Sequence, residues 1–339
     1  MRQNNIFLML LKVFFFSSIL VATSAVRAEL KVVTTIKPLH SLIANVMDGV
    51  GDPALIIEGS TSPHSFTLKP SHAKLLEEAD IIFWVGESIE TFMERPLESI
   101  VKNAEVVEFM EVESINKLKF REESIFDDHD DHDDHDDHDD HDDHDDHNDH
   151  DDHDDHDDHD DHSGHDHHGH AHGEFDAHIW LDPMNAKEMV HEIAHELGDL
   201  DPANKNKYEA NAQATIQALD QLVNDIEKGI NKDAKFVVFH DAYQYFEERF
   251  GVRAAGALTL NTDVLPGAKQ IADIQDVIKD RGIKCIFSEP QFNPKIITTI
   301  AEDMNIKTGV FDPLGANIDS NKDLYFTLIS NLGDELKGC

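Results

Sequence analysis

The stretch KFVVFHD, residues 235–241, decides the fold class. Its four apolar residues, 236–239, follow one another without a polar interruption, which is typical of a strand buried on both faces of a parallel sheet. The run ends at His240 and Asp241, and open α/β sheets bind their ligands outside the carboxyl ends of the strands. The stretch therefore predicts a parallel sheet with polar side chains at its functional edge.

Similar apolar runs recur on both sides of this stretch, and segments with helical spacing separate them. The predicted strands are residues 31–35, 54–57, 81–85, 258–260, 285–287 and 309–311. Alternation of strands and helices indicates an α/β fold. Residues 204–230 contain no proline and a single glycine, Gly229, which predicts one long helix. We therefore expect two parallel-sheet α/β lobes, 29–200 and 232–339, joined by a rigid linking helix at 201–231.

Residues 127–172 repeat Asp-Asp-His almost without a break. They hold 17 of the 24 histidines and 24 of the 69 acidic residues, and neither Lys nor Arg. A segment with almost no apolar residues and with one sign of charge is predicted to be disordered. An acidic solubilising linker would explain the aspartates but not a histidine at every third position. Imidazole favours zinc, copper or nickel, so the tract is predicted to bind several such ions loosely.

The first 28 residues have the pattern of a secretory signal peptide. Arg2 precedes an apolar run over 6–21, and small residues end at Ala28, after which we expect cleavage. A membrane anchor is the alternative, but the run is short and Lys12 interrupts it. We expect an exported, soluble protein. The net charge of -41 includes the tract, and the acidic remainder lacks the basic patches that nucleic-acid binding needs.

Three histidines stand in or beside predicted loops and strand ends, namely His64, His178 and His240. If the carboxyl ends of the strands face one cleft, the imidazoles can converge on a single ion, with water or Asp312 as a fourth ligand. The spacing alone leaves this open.

A rival metal site is the motif HEIAH at residues 191–195, which matches the H-E-x-x-H of zinc proteases, with Glu192 as general base. The apolar face of the same predicted helix leaves His191 and His195 on a polar flank, so a solvated helix surface is the simpler interpretation. A secreted zinc protease stays open as an alternative function, as does metal storage or sensing by the tract itself. The two cysteines, Cys285 and Cys339, suit a disulfide in an oxidising compartment, or less simply a metal site.

Several motifs resemble the zinc-specific solute-binding proteins of bacterial ABC importers, the ZnuA type of the metal-binding lipoprotein and adhesin cluster. The matching motifs are VTTIKPL at 33–39, SPH at 62–64, LKPS at 68–71, AD at 79–80, HIWLDP at 178–183, FHDAY at 239–243, EPQF at 289–292 and DPLG at 312–315. They span the chain outside the signal and the tract. Relatives commonly carry a His/Asp-rich insertion at the position of the tract.

The resemblance implies a periplasmic protein that is not an enzyme. It would bind Zn(II) as a monomer through His64, His178 and His240 and deliver the ion to a membrane permease, with no nucleic-acid partner. Some relatives use a glutamate just before the first histidine, and Pro63 removes that ligand here. Manganese-binding relatives have a carboxylate at the position of His240, so His240 indicates zinc. The resemblance also implies a disulfide between Cys285 and Cys339, and leaves Asp312 as a possible fourth ligand.

Overall fold

A computed structural model describes residues 29–126, 174–260, 262 and 265–339. The predicted signal peptide and the whole His/Asp tract lie outside the described residues. Among those described, no helix combines the length and the apolar character that crossing a bilayer requires.

The first lobe is built on a four-stranded parallel sheet. Its strands are β1 (Val32–Thr34), β2 (Ala54–Leu55), β3 (Ile81–Trp84) and β4 (Glu105–Glu108), in the order β2-β1-β3-β4. Three helices connect them: α1 (Lys37–Val46), α2 (Pro70–Glu78) and α3 (Glu94–Ser99). β1 and β3 are fully buried, as expected for strands covered by helices on both faces.

The second lobe repeats this order of strands. It contains β5 (Phe236–His240), β6 (Ala257–Thr259), β7 (Cys285–Ser288) and β8 (Lys307–Val310), arranged β6-β5-β7-β8 and all parallel. Its helices are α6 (Gln244–Phe250), α7 (Ala268–Asp280), α8 (Lys295–Met304) and α9 (Leu324–Leu336). Every residue of β5 is buried, so the stretch that predicted the fold is the centre of this sheet.

Two long helices stand between the two sheets in the sequence, α4 (Pro183–Leu200) and α5 (Lys205–Gly229). At 1.5 Å per residue, α5 is about 37 Å long. It contacts α4 and α1 of the first lobe and α9 of the second, so one helix supports both lobes. Its inward face follows helical spacing: Tyr208, Ala212, Thr215, Leu219, Leu222 and Ile226. A continuous apolar core then runs through both lobes, and a second cluster surrounds α7 and α8.

Residues 118–126 cross from the first lobe to the second, which the predicted boundary at residue 200 does not anticipate. Near their start, Lys119 forms an antiparallel bridge with Phe175. Near their end, Ile125 bridges Gly256 beside β6. The crossing segment thus adds to the edge of the second sheet, and the division into lobes at 200 and 232 stays a prediction.

Candidate metal centre

Each of the three predicted histidines lies where a regular element ends or begins. His64 is in a short 3-10 turn, Pro63–Ser65, that follows β2. His178 directly precedes another 3-10 turn, Ile179–Leu181, which leads into α4. His240 is the last residue of β5. The first lobe therefore supplies two imidazoles and the second lobe supplies one.

The structure brings these three rings together. One ring nitrogen of each histidine lies within 4.8 Å of one from each of the others, and no other triad of His, Cys, Asp or Glu in the described residues is arranged to hold a metal. The ring centroids of His178 and His240 are 5.0 Å apart, and His64 lies 5.7 Å and 5.6 Å from them. The pocket that these rings line has a cavity volume of about 10 Å³, which suits a single small particle.

Two buried carboxylates orient two of the rings. Nδ1 of His178 lies 2.7 Å from Oδ1 of Asp176, and the same oxygen accepts the backbone N–H of His178 at 3.0 Å. Nδ1 of His240 lies 3.2 Å from both oxygens of Glu289. In each ring the carboxylate therefore engages Nδ1 and leaves Nε2 to the pocket, the usual arrangement of histidines that bind metals.

Burial and neighbouring charge act differently on the two buried histidines. Burial holds the pKa of His178 well below its usual value, and His240 lowers it further. Burial also lowers the pKa of His240, but the charge and hydrogen bond of Glu289, together with the charges of Asp241 and Asp176, outweigh burial and raise it. Burial raises the pKa of Asp176 to about 7. His178 is therefore neutral at pH 7, the form in which imidazole binds a metal.

Apolar side chains close the pocket around the rings. The lining includes Ile89, Trp180, Phe292, Pro313 and Leu314. The Trp180 ring lies 5.4 Å from that of His178, and its Nε1 donates to the Pro313 carbonyl at 2.8 Å. Water is largely excluded by such walls, which strengthens the attraction between an ion and its ligands.

Asp312 lies next to this pocket but outside the group of three ligands. Its Oδ1 accepts the backbone N–H groups of Leu314 and Gly315 and the side chain of Gln291, at 3.0–3.1 Å. Its Oδ2 accepts the N–H of Ala316 at 2.6 Å. Both oxygens are thus engaged by the loop that follows β8. A role for Asp312 as fourth ligand would require the loop to rearrange, and it stays a prediction.

The H-E-x-x-H motif lies on α4, in a groove that shares no lining residue with the pocket of the three rings. His191 and His195 are exposed, and Nδ1 of His195 lies 3.0 Å from Oε1 of its neighbour Glu196. A groove between α4 and α5 contains the motif together with Lys205 and Glu209. Among the described residues this face offers no third ligand that would complete a zinc site. The arrangement is that of a solvated helix surface.

Cys285 and Cys339 form a disulfide, with an S–S distance of 2.06 Å. The predicted pairing is confirmed, and the competing idea of a metal site made with cysteine is wrong because both thiols are consumed. The bond connects the beginning of β7 to Cys339, three residues beyond the end of α9, so it lies at the end of β7 opposite to Glu289.

Sequence reasoning missed both orienting carboxylates. Asp176 precedes His178 by two residues, so an Asp-x-His pattern at the beginning of a turn was an available signal. Glu289 is 49 residues from His240. It was noted only as part of a motif, because sequence spacing does not reveal that β5 and β7 are neighbours.

Two parallel sheets, a shared helix and an imidazole-lined pocket between them place this chain among the two-lobed binding proteins for metal ions. The family described as zinc-uptake complex component A, periplasmic (ZnuA) matches residues 32–339, and the chain belongs to that family.

Relatives and solved structures agree with this assignment. The high-affinity zinc uptake system protein ZnuA of Brucella abortus is 49% identical over 310 residues, 91% of either chain. The protein of the same name from Yersinia pestis is 31% identical over 325 residues, 95% of either chain. The periplasmic zinc-binding protein TroA of Treponema pallidum has a similar fold, with a TM-score of 0.70 at 19% identity, covering 91% of this chain and 98% of that one.

Proposed function

We propose that this protein captures one Zn(II) ion in the periplasm through His64, His178 and His240 and delivers it to the membrane permease of an ABC importer. The observation that carries the proposal is the convergence of three imidazoles from two lobes on a space suited to one small particle. The relatives named as high-affinity zinc uptake proteins support the same role. No catalytic step is needed.

The chemistry of the ligands favours zinc. Three neutral imidazoles and one exchangeable position suit a tetrahedral Zn(II) ion, with Zn–N distances of about 2.0–2.1 Å. Magnesium, calcium and manganese prefer oxygen ligands, and no carboxylate belongs to the described triad. The fourth position is assigned to water or, after rearrangement of its loop, to Asp312.

The fold holds the three ligands close to one another. Asp176 and Glu289 fix two rings, and burial keeps His178 neutral. An ion then binds without first ordering the chain, which favours high affinity. The Asp-Asp-His tract has no such scaffold in its sequence, so we assign to it loose collection of zinc near the pocket.

Delivery follows from the shared helix. Since α5 packs on helices of both lobes, a wide opening of the pocket would disrupt a continuous core. We therefore assign release to docking on the permease, with small shifts of the loops that carry the histidines. The signal-like residues 1–28 and the periplasmic family support export, and the protein is proposed to act as a monomer without a nucleic-acid partner.

A competition titration with a zinc-chelating dye tests the proposal. The first protein lacks residues 127–173, and the second additionally carries His64→Ala, His178→Ala and His240→Ala. One tight equivalent in the first protein and none in the second is the expected result. A tight equivalent that survives the triple change would refute the assignment and direct attention to His191 and His195. Loss of all tight binding on removal of the tract would instead support metal storage by the tract.

A further inference from the structure

A buried lysine of the first lobe holds a loop of the second. Lys37 lies in the first turn of α1 and is only 4% exposed. Its Nζ donates to the carbonyl oxygens of Gly315 at 2.6 Å, Ala316 at 3.2 Å and Ile318 at 2.6 Å. These acceptors belong to residues 312–318, called here the 312–318 loop, which follows β8. The ammonium group thus uses its three donors on one short segment.

The same loop is held from its other side by its own first residue. The carboxylate of Asp312 accepts the N–H groups of Leu314, Gly315 and Ala316. Gly315 has a φ of +68°, a conformation that glycine adopts without strain. Lys37 therefore satisfies carbonyl groups of the loop while Asp312 satisfies its N–H groups, and together they define one conformation.

This loop is also a wall of the metal pocket. Pro313 and Leu314 line the pocket beside the histidines, and the Pro313 carbonyl accepts from Trp180. Gln291, another lining residue, donates its side-chain N–H to Asp312 at 3.0 Å. The Asp312 carboxylate thus accepts from two residues of the pocket lining, the side chain of Gln291 and the backbone N–H of Leu314.

We propose that Lys37 is a positioning residue for metal coordination: by tethering the 312–318 loop it keeps Asp312 out of the pocket and leaves three imidazoles with one exchangeable position. The inference rests on the proposed function and adds to it the residue that determines the ligand set. An anionic oxygen among the ligands would favour manganese relative to zinc, because manganese prefers oxygen and zinc accepts nitrogen readily.

Loss of the ammonium group releases the loop in a defined way. Lys37→Met keeps the approximate length of the side chain and removes all three donors. The carbonyls of Ala316 and Ile318 then lose this donor, and that of Gly315 keeps only the backbone N–H of Ile318. The bond to Gly315 is buried and those to Ala316 and Ile318 are partly buried. Without the ammonium group the loop shifts to bring these carbonyls to other donors or to water. A shift of the 312–318 loop then allows the Asp312 carboxylate to approach the histidines.

The full chain provides a matched control on the same helix. Ser41 lies one turn after Lys37 and is buried, and its Oγ donates to the Lys322 carbonyl of the second lobe at 2.9 Å. Ser41→Ala therefore removes a contact between the lobes without touching the 312–318 loop. Each variant is also prepared with the three pocket histidines changed to alanine, which measures the signal of the tract so that it can be subtracted.

The test measures the dissociation constants of zinc and manganese by chelator competition, and the visible absorption of bound Co(II). We expect Lys37→Met to reduce the preference for zinc over manganese by about 10-fold or more and to change the Co(II) spectrum, whereas Ser41→Ala leaves both unchanged. An unchanged preference and spectrum in Lys37→Met would overturn the inference. Equal changes in both variants would also overturn it, because general displacement of the lobes would then be the cause.

Two further results keep this test separate from the proposed function. If Lys37→Met fails to fold, Gly315→Ala disturbs the same loop from its other side, since its φ is unfavourable for alanine, and the same readouts decide. If the chain that carries only the three histidine changes still binds zinc tightly, the proposed function fails. If the wild type behaves as proposed but the Lys37 and Gly315 variants show an unchanged metal preference and Co(II) spectrum, the inference alone fails.

Discussion

Asp176→Asn should weaken zinc binding without weakening the fold. Asp176 is 1% exposed, and its Oδ1 contacts both the backbone N–H and Nδ1 of His178. Asparagine keeps the shape of the side chain but loses the negative charge, which orients the His178 ring and makes its other nitrogen a stronger ligand for the ion. Loss of such a partner typically reduces metal affinity by about 10–100-fold, or about 1.4–2.7 kcal/mol.

The effect on the stability of the metal-free protein should have the opposite sign. Burial raises the pKa of Asp176 from 3.8 to about 7. A carboxyl group whose pKa is higher in the folded than in the unfolded chain opposes folding as pH rises from its unfolded pKa through its folded pKa. At pH 8 this pKa shift destabilises the folded wild type by about 4 kcal/mol, which the variant avoids. The hydrogen bonds of asparagine are weaker than those of the carboxylate, and this difference reduces the gain. We therefore expect an unfolding midpoint no lower than that of the wild type.

Glu90→Gln is the matched control, since Glu90 is another buried carboxyl whose pKa burial raises to about 7. Its Oε2 accepts the N–H groups of Val85 and Gly86 rather than a histidine. Zinc affinity by chelator competition and urea unfolding at pH 8 are measured on chains lacking residues 127–173. Unchanged affinity in Asp176→Asn, or an affinity loss accompanied by an equal loss of stability, would refute the reasoning. A loss of affinity in Glu90→Gln as well would make the effect unspecific.

Three other expectations follow from the site and its surroundings. On acidification, zinc affinity should begin to fall already above pH 6.5, because the raised pKa of His240 lets protons compete with zinc for this imidazole. A zinc affinity that stays constant from pH 8 to 5.5 would contradict this. Cys285→Ser should lower the free energy of unfolding by about 4 kcal/mol, because the disulfide joins residues 54 positions apart, yet it should leave zinc affinity unchanged. Denaturant unfolding measures the first effect and dye competition the second. Glu192→Ala should change stability by under about 0.5 kcal/mol and leave zinc binding unaltered, and peptide hydrolysis that disappears in this variant would revive the protease alternative.

The elements that the sequence predicts well are those with one dominant signal. The strand at 236–240 begins with four consecutive apolar residues, and the helix at 205–229 is a long segment without proline. His64, His178 and His240 follow from their places at loops and strand ends together with the resemblance to a family. Local pattern and tertiary environment agree at these positions.

The elements that escape prediction have mixed signals. β4 (Glu105–Glu108) begins and ends with glutamate and lies at the edge of its sheet, so its pattern is not that of a buried strand. Helix α9 contains Gly333, which abuts Ile226 of α5 and owes its place to close packing. The sheltered position of Asp312 depends on Lys37, 275 residues earlier in the chain, and no local pattern could indicate it.

The helix shared by the two lobes also determines how this protein could report zinc. Fluorophores attached to opposite lobes would change their separation little, so energy transfer between them would be a poor signal. An indole beside the ion senses occupancy directly, and Trp180 lies 5.4 Å from His178. With Trp84 replaced, since it is the second of only two tryptophans, the intrinsic emission of Trp180 would make the protein its own zinc indicator.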